Sequence, residues 1–295
     1  MIAVVVGAQG NLGRPLVDLL KSRDIEVISI VRSCSSISPS ESLSWNAFVN
    51  DPHSVPERCD KLIFSFGNLT TSVEESLNVI EWSIRWAAKA GCNQVIFLSS
   101  LKVLKQSDNN HLISDTSIVE PTDNYGRMKY VSELKVAQMC ERYDISYCVL
   151  RLPLVLGVDA LNPNLLVLAR VCGKLPSVGR WGYSLFRRSV LAVEDFCSLI
   201  YACMLNPDRY KGSWVISNGD SPVNLQLVSM WAKGKRLVAL ADSDHTRPIP
   251  NGWLHFIFLV YPASQPLEAS TELRIFDCGW RPVHRTHDII RELPI

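Results

Sequence analysis

The sequence carries almost no net charge, because its 295 residues hold 30 Lys and Arg against 29 Asp and Glu, a formal net charge of +1. No field of one sign covers the molecule, so we expect neither a nucleic-acid partner nor attraction to an anionic membrane. A long apolar run is also missing. The most apolar stretch, residues 254–260, is far shorter than the roughly 20 residues that span a bilayer. We therefore expect no membrane span.

Paired cysteine motifs and a metal-binding cluster are missing as well. The nine cysteines show no Cys-x-x-Cys spacing, which predicts reduced, mostly buried thiols in a cytoplasmic protein. The apolar residues 2–6 follow Met1 directly, with no basic segment and no cleavage site, so we expect no secretion signal. His284 and His287 have no third ligand nearby, and no metal site is predicted.

The first half of the chain alternates short apolar runs with longer helical patterns. This alternation predicts an α/β fold with a doubly wound parallel sheet, in which both faces of each strand are covered. The predicted strands are residues 2–6, 26–31, about 42–48, 61–66, 94–99 and 146–152.

Three glycines, Gly7, Gly10 and Gly13, connect the first predicted strand to a helix. In a strand–turn–helix context, such glycines allow a tight turn, close approach of a pyrophosphate and close helix–strand packing. This position predicts a Rossmann-type dinucleotide site. The predicted cofactor contacts in the loop are Gly7, Gln9, Gly10, Asn11, Leu12 and Gly13.

The end of the second predicted strand lacks the acidic residue that would bind a free ribose 2′-hydroxyl. Arg32 and Ser33 stand there instead. A guanidinium suits a 2′-phosphate, so these residues favour NADP over NAD, with NAD still possible.

Tyr125 and Lys129 stand four residues apart at the head of a predicted helix, so both lie on one face. We expect the ammonium to lower the pKa of the phenol towards neutral values. Ser100 ends the fifth predicted strand, at the edge where doubly wound sheets bind ligands. Together these residues predict an acid–base site.

These features identify a resemblance to the extended short-chain dehydrogenases/reductases, the NAD(P)-dependent epimerase/dehydratase group that acts mostly on nucleotide sugars. The resemblance covers nearly the whole chain. It is carried by the glycine loop at residues 7–13, by Ser99 and Ser100, and by residues 120–129, 150–157 and 277–282.

The resemblance implies a role for each matching residue. Tyr125 would be the acid–base group, Lys129 would hold the nicotinamide ribose, and Ser100 would polarise the substrate oxygen. Further cofactor contacts implied are Phe66, Gly67 and Pro153, and further substrate contacts are Asn164 and Arg188.

The chain departs from the family's dehydratases, which have Thr-Asp-Glu where it has Ser100, Leu101 and Lys102. Without those carboxylates we expect no dehydration, and Lys102 is a further candidate for contact with substrate. The leading hypothesis is NADP-dependent reduction of a nucleotide-linked 4-keto-6-deoxy sugar, which depends mainly on Arg32. The alternatives are a nucleotide-sugar 4-epimerase with retained cofactor and a non-catalytic NADP sensor.

A change to proline-rich connections after Gly157 predicts a smaller C-terminal, substrate-binding lobe. We assign residues 1–157 to the NADP-binding domain, with residues 189–216 returning to it through a helix at 193–205. Residues 158–188 and 217–295 would form the lobe, in which residues 233–270 contain no recognisable motif.

A helix between the fourth and fifth strands has two apolar stripes. Ile80 and Ile84 belong to the stripe that would face the sheet, and Val79, Trp82 and Trp86 form a second stripe that also needs a cover. Loops of the same chain or a second subunit could supply it. The latter would be a homodimer through the helices at 72–90 and 125–142.

Overall fold

The computed structural model describes residues 1–32, 42–51, 55–66, 72–105, 112–157, 189–219, 269–270, 272–285 and 288–289. The strands of this part are β1 (Ile2–Val6), β2 (Glu26–Val31), β3 (Ser42–Ser44), β4 (Lys61–Phe64), β5 (Gln94–Ser100), β6 (Ser146–Leu152), β7 (Leu154–Leu156), β8 (Val190–Ala192) and β9 (Gly212–Val215). Its helices are α1 (Gly13–Ser22), α2 (Trp45–Asn50), α3 (Val73–Lys89), α4 (Asn124–Arg142) and α5 (Val193–Leu205).

Seven strands form one parallel sheet in the order β3-β2-β1-β4-β5-β6-β9. The central strands β1 and β4 are almost entirely buried, as expected when helices cover both faces of a sheet. The order reverses between β1 and β4, the point at which doubly wound sheets bind their ligands. The predicted Rossmann-type α/β fold is confirmed.

The prediction of one strand over residues 42–48 is wrong beyond Ser44. The chain turns into α2 at Trp45, where the Ser44 hydroxyl accepts a hydrogen bond of 3.2 Å from the Ala47 N–H and caps the helix. The helical turn brings Phe48 against α3, with ring centres 4.5 Å from Trp82 and 4.9 Å from Trp86. In an extended strand, Trp45 and Phe48 would lie on opposite faces, because they are an odd number of residues apart.

Both apolar stripes of α3 are covered within the chain. Ile80 and Ile84 are fully buried against the sheet, and the stripe of Val79, Trp82 and Trp86 packs in the same core as the aromatic residues of α2. The tryptophan stripe therefore gives no support to a second subunit. A homodimer through α3 and α4 stays a prediction, for which the exposed apolar side chains of Val73 on α3 and of Val131 and Leu134 on α4 are the observations.

Residues 189–219 contribute to the main sheet and its helical layer. Strand β9 pairs with β6, α5 packs against α1, and β7 and β8 form a separate parallel pair. The buried Asp195 of α5 accepts hydrogen bonds from the backbone N–H groups of Val283 and His284, at 2.8 and 2.9 Å. These hydrogen bonds hold the segment that follows residues 277–282 against α5.

Among the described residues, no helix is both long and apolar enough to cross a bilayer. The seven described cysteines are free thiols, six of them buried. Within the same residues, no group of three or more His, Cys, Asp and Glu side chains could hold a metal ion, and His287 lies outside them. The cytoplasmic location stays a prediction.

Candidate active site

The glycine loop needs a glycine at each of its three positions. Gly7 has a φ of +89°, and a Cβ there would lie 3.0 Å from the backbone of Ser65 and Phe66. A Cβ on Gly10 would lie 3.2 Å from the Gly7 carbonyl oxygen, and one on Gly13 only 2.3 Å from it. The loop is therefore folded too tightly for side chains, and α1 starts directly against β1.

The loop also fits the phosphates of a dinucleotide. Helix α1 starts without a side-chain cap and without an acidic residue in its first turn. The Gln9 side-chain nitrogen and the Ser65 hydroxyl are buried with no hydrogen-bond partner within the protein. Buried donors without partners carry a cost that a polar ligand can remove. Residues 7–13 thus form a cradle whose shape and donors suit a pyrophosphate.

Two alanine substitutions separate the loop's fold from its binding role. A Cβ on Gly10 would meet the Gly7 carbonyl oxygen at 3.2 Å, but Gly10 is otherwise exposed, so we expect Gly10→Ala to weaken dinucleotide binding about tenfold or more and to lower the melting temperature less than Gly13→Ala does. Gly13→Ala would push a methyl group into the Gly7 carbonyl and should lower both quantities. Dinucleotide titration by tryptophan fluorescence and thermal melting measure the two effects. Unchanged binding in Gly10→Ala would contradict the assignment.

Tyr125 and Lys129 lie in the first turns of α4, as predicted. The helix is capped by Asp123, whose Oδ1 accepts a hydrogen bond of 2.7 Å from the Gly126 N–H. A Cβ on Gly126 would lie 2.3 Å from the Lys102 carbonyl oxygen. Glycine at this position therefore lets the start of α4 lie against the turn that follows β5.

Lys129 is fixed in the sheet's carboxyl edge. Its Nζ donates hydrogen bonds of 2.7 Å to the carbonyl oxygens of Phe66 and Leu98, and it lies 4.9 Å from the ring centre of Phe97 and 5.9 Å from that of Tyr125. Burial lowers the pKa of Lys129 to about 7, although the negative charge of Glu133 raises it.

The predicted lowering of the Tyr125 pKa by Lys129 is wrong for this arrangement. Burial, and then the negative charge of Asp123, raise the pKa of Tyr125 to about 12. Lys129 does not reverse this, because its own pKa is near 7 and its ammonium is bonded to two carbonyl oxygens. Tyr125 is therefore a protonated phenol at neutral pH, which can donate its proton.

Ser100 ends β5 and adjoins a cluster that the sequence analysis missed. Its hydroxyl accepts a hydrogen bond of 3.3 Å from the Lys102 N–H. Beside it, the Ser99 hydroxyl makes a short hydrogen bond to Glu133, and the Arg151 guanidinium contacts both carboxylate oxygens of Glu133, at 2.7 and 3.1 Å. The only sequence signal for Glu133 is its position four residues after Lys129, on the same helix face.

Lys102 lies beside Tyr125 but is paired with a carboxylate. Its Nζ is 2.6 Å from Oδ2 of Asp123 and 5.7 Å from the ring centre of Tyr125. Both partners of the pair are partly exposed. Lys102, which the sequence predicts to contact substrate, therefore already forms an ion pair with Asp123.

Some of the remaining predicted site residues lie within the described residues and others lie outside them. Pro153 follows β6 directly, and the exposed Arg32 follows β2, two residues beyond the Ile30 carbonyl that accepts the Gly7 N–H. These positions bring both to the carboxyl edge that carries the glycine loop. Four predicted residues lie outside the described residues: Ser33, Gly67, Asn164 and Arg188.

The comparisons with known proteins give a family match and a set of similar structures. The family model for the NAD dependent epimerase/dehydratase family matches residues 67–217, which include Ser100, Tyr125 and Lys129. A comparison with curated proteins finds no match by sequence.

Solved structures match this chain over nearly its full length. UDP-glucose 4-epimerase from Thermotoga maritima, solved with UDP-glucose, has a TM-score of 0.72 and 16% identity, covering 99% of this chain and 96% of that one. UDP-glucose 4-epimerase from Thermus thermophilus, solved with NAD, has a TM-score of 0.69 and 16% identity over 99% and 97%. UDP-N-acetylglucosamine 4-epimerase from Bacillus cereus has a TM-score of 0.72 and 14% identity over 99% and 94%. At these identities the likeness establishes the fold.

Proposed function

Because the chain belongs to the NAD-dependent epimerase/dehydratase family, we propose that it binds a nicotinamide dinucleotide and inverts a carbon of a nucleotide-linked sugar, as a 4-epimerase. The observation that carries the proposal is the Tyr125–Lys129 pair at the start of α4, at the carboxyl edge of the sheet where β5 ends in Ser100 and β1 leads into the glycine loop. A phenol, an ammonium and a hydroxyl at this edge can handle the proton of a sugar hydroxyl group next to a bound cofactor.

The residues that would hold the cofactor are those of the glycine loop, with Phe66, Lys129 and Pro153 beside them. A nicotinamide dinucleotide supplies reversible hydride transfer at carbon. The Gly7–Gly13 cradle would bind its pyrophosphate. Lys129, which already bonds the Phe66 carbonyl, would donate to a ribose hydroxyl placed at the same point.

The protein's own part of the reaction is to move a proton and fix one oxygen. Tyr125 would have to be in its phenolate form to take the proton of the sugar hydroxyl as that carbon becomes a carbonyl, and it would return the proton when the carbonyl is reduced. Ser100 would donate a hydrogen bond to that oxygen, since within the described residues its hydroxyl acts as an acceptor, from the Lys102 N–H. Lys129 would stabilise the deprotonated phenol electrostatically.

The 4-epimerase takes first place because the similar solved structures include 4-epimerases of UDP-sugars, one with UDP-glucose and one with NAD. Reduction of a 4-keto-6-deoxy sugar with NADP remains the second candidate, and Arg32 is the observation that favours it. Both reactions use the same proton transfer. They differ in whether cofactor is consumed.

The substrate contacts belong to the same proposal. Asn164 and Arg188 would bind the diphosphate of the nucleotide sugar, for which an arginine side chain is chemically suited. Lys102 would lie beside the sugar, with its charge shared with Asp123.

Incubation of the purified protein with UDP-glucose and with UDP-N-acetylglucosamine tests the proposal. We expect the C4 epimer of at least one of them to form, detected by proton NMR, with no net change in absorbance of the reduced cofactor. Steady consumption of NADPH with 4-keto-6-deoxy sugars, without epimerisation, would instead establish the second candidate.

Arg32 decides between the cofactors. If its guanidinium binds a 2′-phosphate, Arg32→Asp should shift the ratio of the NADP and NAD dissociation constants by about tenfold or more in favour of NAD. Arg23→Asp, which changes an exposed arginine at the opposite end of α1 from the glycine loop by the same charge, is the matched control. A wild type that prefers NAD, with a ratio unchanged in Arg32→Asp, would remove the support for the reductase.

A further inference from the structure

The Tyr125 ring has two lysines near it. Lys129 lies 5.9 Å from its ring centre, within α4, and Lys102 lies 5.7 Å from it, in the turn after β5. Lys129 is nearly fully buried and bonds two carbonyl oxygens. Lys102 is more exposed and makes its close contact with Asp123. The two lysines therefore differ in setting although they lie at similar distances from the ring.

Asp123 has two tasks, one for each carboxylate oxygen. Oδ1 caps α4 at the Gly126 N–H, and Oδ2 pairs with Lys102 at 2.6 Å. Burial raises the pKa of Asp123, but hydrogen bonds from Lys102 and from the Gly126 N–H outweigh it and lower that pKa overall. The carboxylate therefore stays negative at neutral pH, and it lies two residues before Tyr125.

We infer that the Lys102–Asp123 ion pair sets how readily Tyr125 releases its proton, with the lysine favouring release and the aspartate opposing it. The inference goes beyond the proposed function, although it rests on that function for the importance of the Tyr125 proton. Both residues act through Tyr125 and are positioning residues. A substrate anion that drew Lys102 away from Asp123 would change the balance at the phenol.

The direction in which each charge shifts the pKa of Tyr125 follows from electrostatics. A positive charge near a phenol stabilises the phenolate, and a negative charge destabilises it. Asp123 does raise the pKa of Tyr125. A partly exposed ion pair contributes little to stability, about 0–1 kcal/mol, so a purely structural pair would leave the titration of Tyr125 unchanged when it is removed.

Other charged groups lie on the elements that pack around Tyr125, and they stay in place in the test. On α4 they are Arg127, Lys129 and Glu133, on β6 Arg151, and on the first turn of α3 the exposed Glu74 and Glu75. Glu133 is bonded to Arg151, so its charge is largely balanced. In the described part of the chain, Lys102 and Asp123 can each be neutralised next to the ring without disturbing the Glu133–Arg151 pair.

The test places a ring-fluorinated tyrosine at position 125 and follows its fluorine NMR shift with pH. Its phenol is more acidic than that of tyrosine, which brings the titration into the range of the folded protein. We expect Asp123→Asn to lower the midpoint and Lys102→Met to raise it, each by about half a unit to one unit. The double variant should lie close to the wild type. Asparagine keeps the helix cap.

The ion pair of Lys135 with Glu81 supplies the matched control, because it joins α4 to α3 with the same charges. Lys135 lies ten residues beyond Tyr125, about 15 Å along the helix, which exceeds the screening length of about 8 Å at physiological salt. Lys135→Met and Glu81→Gln should leave the midpoint within about 0.2 unit.

Two results would overturn the inference. One is a midpoint unchanged in both Asp123→Asn and Lys102→Met, and the other is a shift of both in the same direction. If Asp123→Asn does not fold, Asp123→Ser removes the charge and keeps a capping oxygen. The readout needs no turnover, so the titration can fail while the epimerase is real, or succeed while the protein epimerises nothing.

Discussion

Replacing Tyr125 with phenylalanine is expected to lower kcat for the nucleotide sugar about 100- to 10,000-fold, the usual contribution of a positioned acid–base group. The hydroxyl is the only part removed, and the ring packing against α4 and the turn after β5 stays. Dinucleotide affinity should change little. Steady-state kinetics with the sugar that the wild type accepts, together with a dinucleotide titration, measure both quantities.

Tyr130→Phe is the control for this variant. Tyr130 lies on the same helix, packs partly buried against the core and also carries a hydroxyl, but we assign it no role in the reaction. We expect its kcat to remain within about threefold of the wild type. If Tyr125→Phe keeps more than about a tenth of the wild-type kcat, then Tyr125 is not the acid–base group.

Replacing Glu133 with alanine should destabilise the protein by about 3–5 kcal/mol, because it leaves the largely buried guanidinium of Arg151 without its carboxylate. Glu133 is 5% exposed. Both of its carboxylate oxygens contact Arg151, and one also accepts a hydrogen bond from the Ser99 hydroxyl. The same change would lower the pKa of Lys129 further, since Glu133 raises it. Urea denaturation of the purified variant measures the loss in the free energy of unfolding.

The ion pair between Lys135 and Glu81 provides the comparison for Glu133 too. Glu81 pairs with Lys135 and Arg85 at a partly exposed site, where such pairs contribute about 0–1 kcal/mol. Glu81→Ala should therefore cost far less than Glu133→Ala. Equal losses in the two variants would show that burial does not govern the contribution of Glu133.

Much of the site was predictable because its signals are local in sequence. The Gly7–Gly13 spacing between a strand and a helix specifies a tight loop wherever it occurs, and four residues on a helix bring Tyr125 and Lys129 to one face. Such features need no knowledge of the rest of the fold. The resemblance to a family then linked them with Ser100 at the end of β5.

The features that sequence reasoning missed depend on contacts between distant parts of the chain. Glu133 and Arg151 are 18 residues apart and meet only because α4 packs on β6, and Lys102 reaches Asp123 across 21 residues. The direction of the Tyr125 pKa shift could not be predicted from spacing either, because burial outweighs the neighbouring lysine.

The strand predicted over residues 42–48 failed for a related reason. Its apolar residues Trp45 and Phe48 suit a strand by propensity. In the folded protein they are three residues apart on a helix, which directs both towards the tryptophans of α3. The aromatic cluster that decides between helix and strand forms only when α2 and α3 meet.

Proton NMR of UDP-sugars incubated with the purified protein tests the central claim most directly, that this chain inverts a sugar carbon with a cofactor it retains. The account predicts that UDP-glucose or UDP-N-acetylglucosamine is converted to its C4 epimer without net oxidation or reduction of added dinucleotide, and that Tyr125→Phe slows the conversion at least about 100-fold. A protein that binds the dinucleotide at its glycine loop yet leaves both sugars unchanged would contradict it.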